Sequence, residues 1–315
     1  MVWHMIRVFL GASVATMVLG MVSSWVDRKV TARVQYRVGP PLLQPLYDVL
    51  KLMGKETLVP ARAQRRGFLI APVVGLSAAA LAATVLWAAN LWPREGFVGD
   101  LIVVIYLLTI PAVATIYGAA ASGSPHAAIG ASREMKLLLS YELPLILSAL
   151  VPILKVAQSP DFGATFSLGS LVAFQQQAGW ALWSVSGVIA FIAALLAVQA
   201  KLTLVPFDMP EAETELMGGV YVEYSGPPLA MIKLGRMFML AVLPVYMATL
   251  FLGGLGTPTW QGWLALAGKY VTILVLIVLI RNTNPRVRID QAVRFFWFLV
   301  TPLAIAAVVL AAMGY

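Results

Sequence analysis

The 315-residue chain has no cysteine. That excludes a disulfide, an iron–sulfur cluster or a thiolate zinc site within it. Its two histidines, His4 and His126, lie far apart in sequence and give no basis for a metal or haem site. Any redox centre therefore belongs to a partner. Charge is scarce, at 11% of residues against about 25% in soluble domains. Only 14 residues are acidic. No Gly-rich phosphate loop, nucleophile triad or Walker pattern occurs.

Hydrophobic residues fill 60% of the chain. A helix crossing a bilayer needs about 20 consecutive apolar residues, and the sequence supplies such runs repeatedly. It reads as an all-α polytopic membrane protein, one integral domain over 1–315, with spans near 5–26, 68–92, 100–120, 137–155, 180–199, 229–252, 262–280 and 293–313. The first lacks a small-residue cleavage site and reads as a retained helix, not a signal peptide. Pro111, Pro144, Pro152, Pro244 and Pro302 lie inside spans. Proline is tolerated there when neighbours satisfy the freed carbonyls, so these helices are expected to kink inside a bundle.

The net charge of +8 reads as topology, not nucleic-acid binding. Alternate loops and their flanks carry nine, two, three and four Lys/Arg, or 18 of the 22. By the positive-inside rule these loops are cytoplasmic and both termini lie outside, in the inner membrane of the cell. No internal repeat argues for an inverted-repeat transporter. In the first inside loop, Gln44, Asp48, Lys51 and Lys55 form a polar stripe on an otherwise apolar helix that Pro45 can start. Such a helix can lie in the interface or dock a partner.

The scarce acids gather in "FDMPEAETEL", which holds Asp208, Glu211, Glu213 and Glu215, with Glu223 close behind. Asp208 and Glu211 are spaced as a capping box, with Pro210 in the first turn and Gly218 and Gly219 ending the helix. That leaves Glu213 and Glu215 unexplained, because Glu211 and Glu215 would repel at i, i+4. The loop itself offers few cations. Crowded carboxylates without counter-ions titrate apart, which suits an ion relay better than a solvated face. Glu142, inside the apolar "LLLSYELPLIL", is a second candidate, since charge in hydrocarbon is costly unless paired. Lys233 and Arg236 are one turn apart, and snorkelling is the simpler account for them. Charge balance for the acids is the alternative. The Met and Trp residues read as packing and interfacial belt.

Four stretches, "DRKVTARVQYRVGPPLLQPLYDVLKLMGKE", "IGASREMKLLLSYELP", "PFDMPEAETELMGGVYVEYSGPP" and "NPRVRIDQAVRFFW", resemble the membrane subunit of respiratory complex I that borders the quinone site, subunit 1. They also resemble its relative in the group 4 energy-converting nickel–iron hydrogenases, formate hydrogenlyase included. The resemblance covers essentially the whole chain. Two departures favour the hydrogenase branch and weigh against a quinone site. Gly39-Pro40-Pro41 runs into Leu42 without the usual insertion, and Arg236 stands where complex I carries Glu. "GSPHAAIGASRE" also resembles that branch. The resemblance implies a non-catalytic membrane anchor and ion-coupling subunit of an oxidoreductase complex. Its partners would be the hydrogenase large and small subunits, a ferredoxin-like iron–sulfur subunit and antiporter-like membrane subunits, with the nickel–iron and iron–sulfur centres held by those partners. Glu142, Asp208, Glu211, Glu213, Glu215 and Glu223 would carry ions. Arg28, Arg33, Arg37, Asp48, Lys51, Arg133, Lys233, Arg236, Arg286, Arg288, Asp290 and Arg294 would dock partners or balance charge. A quinone-site subunit 1 of proton-pumping NADH:quinone oxidoreductase is the alternative. A stand-alone transporter and a purely structural anchor are the competing classes.

Overall fold

The computed structural model describes residues 2–93, 96–160, 162–212, 215 and 217–315, without the side chains of Val2 and His4. It is helical throughout its described residues. Helices α1 (Val2–Val34), α2 (Gln44–Met53), α3 (Arg65–Leu91), α4 (Asp100–Ala121) and α5 (Pro125–Ala157) are followed by α6 (Leu168–Ala178) and α7 (Val185–Lys201). Then come α8 (Gly226–Phe251), α9 (Trp260–Thr283) and α10 (Ile289–Ala312). Seven are long and apolar enough to cross a membrane, and α7 is a shorter apolar helix of 17 residues. The last span carries a π-turn over Phe296–Val300, just ahead of Pro302.

The helix α8 is the axis of the bundle. Every residue from Met237 to Phe251 is buried, as expected of a helix apolar on all sides. It packs against α1, α2, α3, α7 and α9. Contact with α1 is backbone-close, and a Cβ on Gly20 would fall on the Met237 carbonyl. Small residues commonly permit such approaches in membrane bundles. Proline content does not sort the helices by depth: α8 and α5 are interior, whereas α4 and α10 present much of their surface outward.

The helix α5 is 33 residues long, about 50 Å at 1.5 Å per residue. It starts twelve residues before the expected span. The extra turns carry Arg133 and Glu134, too polar for a hydropathy reading. The segment 209–222 shelters them, so Ala127, Gly130, Ala131 and Glu134 are buried.

The connecting segments gather at two ends. At one, Gln64 N–H donates to Ala121 O, Leu58 N–H to Ser225 Oγ and Val287 N–H to Pro206 O. This knits together the segments before α3, α5, α8 and α10. At the other end, Asn90 Nδ2 donates to Leu86 O and Thr249 Oγ1 at 2.8 and 2.9 Å, and Leu255 N–H donates to Asn90 Oδ1 at 2.9 Å. Gln175 Nε2 donates to Thr249 O and Leu250 O. These buried amides satisfy the last carbonyls of α8, which no helical N–H reaches. Asn90→Leu should therefore cost about 1–3 kcal/mol, the usual penalty for stranding buried polar groups. Unfolding in mixed micelles would measure it.

Candidate functional site

A cavity of about 290 Å3 lies between α1, α3, α4, α5 and α8 at the knitted end. One wall is apolar, with Pro72, Leu76, Leu108 and Leu240. The other carries Asp27, Arg28, Glu134, Lys201, Lys233, Arg236 and Arg281. Two of these come from the end of α1, which continues past its apolar run as the helix leading to the first basic loop.

The segment 206–225 forms the floor. The expected capping box and helix from Asp208 are not there. Among the described residues the backbone makes only two short 3-10 turns, Met209–Glu211 and Gly219–Tyr221, and Asp208 makes no cap bond. The reason is that the carboxylates bind cations from other elements. Arg286 reaches Asp208 at 2.8 Å, Arg236 of α8 reaches Glu211 at 2.7 Å, and Arg133 of α5 reaches Glu215. The acids are thus not poor in counter-ions, as the loop's own composition suggests. Their partners come from positions far away in sequence. Glu211 and Glu215 point to different arginines and do not share a helix face. Arg236 does not snorkel: it also lies over the Tyr221 ring at 5.6 Å. Glu213 lies outside the described residues. Glu223 is half-buried and makes no ion pair among them.

Glycines set the floor's shape. Gly219 has φ +53°, and a Cβ there would fall on the Pro210 carbonyl oxygen. Opposite it, Gly130 of α5 lets Val220 N approach to 2.7 Å from where its own Cβ would stand. Tyr224 stacks on Phe68 of α3 at 4.2 Å and donates to Phe68 O at 3.1 Å.

Deeper in, Glu142 is paired, though not with Arg133 or Lys136. Lys201, the last residue of α7, donates to Glu142 Oε2 at 2.8 Å, and Thr109 of α4 donates to Oε1 at 2.6 Å. The Lys201 side chain is only 1% exposed. In sequence it reads merely as a loop charge. Glu134 is also missed by sequence. It is 3% exposed, its Oε2 has no hydrogen-bond partner, and it lines the cavity. No periodicity marks it; only its neighbours at residues 209–222 bury it. Asp27 and Arg281 form a further pair across α1 and α9.

The remaining sequence candidates divide into two groups. Arg28 donates to Asp48 at 2.7 Å, and Gln44 donates to the same carboxylate, tying α2 to α1. Burial pushes the Asp48 carboxyl up, but these hydrogen bonds outweigh it and hold it below the usual range. Lys233 faces the cavity. Arg33, Arg37, Lys51, Arg286, Arg288, Asp290 and Arg294 are exposed.

Burial raises the Asp208 carboxyl above its usual value near 3.8, despite Arg286. Arg286 is half exposed, so water screens its pull, and Asp208 Oδ1 is buried without a partner. The folded state thus holds this proton more tightly than the unfolded chain. Its contribution to stability is present at acid pH and is lost as pH rises from about 3.8 through the raised value. Asp208→Asn should remove that slope, which pH-dependent unfolding would show.

Among the described residues no three His, Asp or Glu side chains cluster as metal ligands. A family model described as NADH dehydrogenase matches residues 6–312. The chain is 36% identical to a membrane component of the NADH-quinone oxidoreductase of Thermomicrobium roseum, over 94% of this chain and 92% of that protein. It is 32% identical to the equivalent NADH-quinone oxidoreductase component of Geobacillus kaustophilus, over 99% and 95%. Among solved structures, it resembles a chain of the membrane-bound sulfane sulfur reductase, an archaeal respiratory membrane complex. The TM-score is 0.87 and the identity 28%, covering 98% of this chain and 99% of that one.

Proposed function

Because the chain belongs to the NADH dehydrogenase family of membrane subunits, which couple peripheral redox chemistry to ion translocation, we propose that it joins a redox arm to an ion-moving membrane arm in a complex built like NADH:quinone oxidoreductase. The observation that carries this reading is the continuity of charge from the knitted end into the bundle. Asp208, Glu211 and Glu215 form the floor, Glu134 sits on the cavity wall, and Glu142 lies on Lys201 beyond it. In this reading the acids, Glu213 and Glu223 included, accept and pass protons or sodium ions. The exposed Arg33, Arg37, Lys51, Arg288, Asp290 and Arg294 dock the peripheral arm. The knitted end faces the cytoplasm and both termini lie outside.

The cavity is at the lower end of the range for small-ligand pockets, roughly 300–1,000 Å3. An apolar wall facing a charged one suits the head of a quinone. The relatives from NADH-quinone oxidoreductases favour this acceptor over the hydrogenase that the motifs suggest. The second reading is a complex without quinone, of hydrogenase or sulfur-reductase type. The likeness to the sulfane sulfur reductase chain supports it, as does the direct run of Gly39-Pro40-Pro41 into the turn before α2.

Purifying the intact complex and reconstituting it in liposomes tests both. The first reading expects quinone reduction linked to ion uptake. The second expects hydrogen or sulfide production linked to ion uptake, with nickel co-eluting in the hydrogenase case. Ion uptake unlinked to any electron transfer would refute the coupling role.

A further inference from the structure

Lys201 is a sealed lysine within reach of two carboxylates, but it binds only one. Its ammonium is bonded to Glu142 at 2.8 Å and lies 3.3 Å from Thr109 Oγ1 and 5.1 Å from the centre of the Tyr141 ring. Both Glu142 and Glu134 act on it electrostatically. Lys201 and Glu134 line the same cavity. Glu134 Oε2, Tyr141 Oη and Tyr246 Oη are buried with no hydrogen-bond partner.

One ammonium in a low-dielectric site can stabilise one carboxylate. Ionising the second leaves a buried charge uncompensated, which is costly. The group therefore holds one positive charge, one negative charge and one carboxylic proton. It has two arrangements of equal net charge, and the protons belong to the cluster as a whole. Lysine suits such a role: its stem is flexible, and burial makes its proton easy to give up.

We propose that Lys201 is a proton-passing switch between Glu134 and Glu142, connecting the cavity to the interior of the bundle. In the first arrangement Glu142 is the carboxylate and Glu134 the carboxylic acid. The Lys201 ammonium gives one proton to Glu142, breaking an N–H bond and forming an O–H bond. The neutral amine turns to Glu134 and takes its proton. The result is a Glu134 carboxylate paired with the Lys201 ammonium, and a Glu142 carboxylic acid. One proton has moved from Glu134 to Glu142 with no other reactant. The charges facing Glu134 that bias this exchange are Glu211 on the floor and Arg236 of α8, with Lys201 itself, while the hydroxyls of Tyr141 and Tyr221 lie in its field. This inference rests on the coupling role proposed above.

The test uses the intact complex in liposomes with two variants. Lys201→Arg keeps the charge pair, but its guanidinium does not give up a proton. Glu134→Gln removes the exchangeable proton and leaves the Lys201–Glu142 pair. Both are expected to lose ions moved per electron pair. Glu134→Gln is also expected to lose a carboxylic C=O band in redox-induced infrared difference spectra. If Lys201→Arg does not assemble, Glu134→Gln decides alone. A wild type that moves ions, together with a Glu134→Gln variant that keeps both its ion-to-electron ratio and the band, overturns the switch and leaves the coupling role standing. A wild type whose electron transfer moves no ions sinks both.

Discussion

Glu142→Leu is expected to destabilise the folded chain by about 3–5 kcal/mol, the usual cost of removing one partner from a buried ion pair. Lys201→Met should cost less. The asymmetry follows from burial: the Lys201 side chain is 1% exposed and that of Glu142 19%. Removing the carboxylate strands an ammonium with no route to water. Removing the lysine leaves a carboxylate that still has Thr109 as a donor and some solvent. Replacing both residues by apolar ones should recover most of the loss, since buried pairs contribute little net stability against a well-packed hydrophobic substitute. A double-mutant cycle in mixed micelles measures this. Additive losses would show that the two side chains do not depend on each other.

Gly219→Val is the second large effect. The residue sits at φ +53° with its Cβ position on the Pro210 carbonyl, so backbone strain and overlap add. Overpacking alone costs about 1–3 kcal/mol, and a left-handed backbone about 1–2 kcal/mol more for a residue with a Cβ. No flexible side chain is available to yield. The floor should detach from α5, and residues 206–225 should become sensitive to protease. Gly163→Ala is the control. Its φ is +62° but a Cβ there meets nothing within 4 Å, so the change should cost about 1 kcal/mol and leave the cleavage pattern intact.

How much of this is legible in sequence depends on how far apart the interacting residues are. Apolar runs are local, so the helices can be read directly; the ends of α5 cannot, because shelter by the 209–222 segment replaces hydropathy there. The acidic segment is conspicuous in composition, but its conformation is set by Arg133, Arg236 and Arg286, which lie tens of residues away. Local spacing alone suggests a capped helix. Long-range ion pairing wins over that local preference. Glu134 and Lys201 carry no local signal. One sits beside an arginine at what reads as a helix margin, and the other ends a span as lysines commonly do. Their meaning comes only from the cavity between them.

The shortness of α7 has a consequence for the surrounding lipid. Seventeen residues rise about 26 Å, less than the roughly 30 Å thickness of a typical hydrocarbon layer. The helix ends in Lys201 while still sealed by protein, and the chain then continues as irregular backbone. Such backbone is tolerated at membrane depth only where protein or a wet hollow covers it. Bilayers of longer-chain lipid would bury this end further, at a fraction of a kcal/mol per Å of mismatch. Acyl-chain length should thus act on the lysine end of α7 as a graded external control, leaving the partners' metal centres untouched.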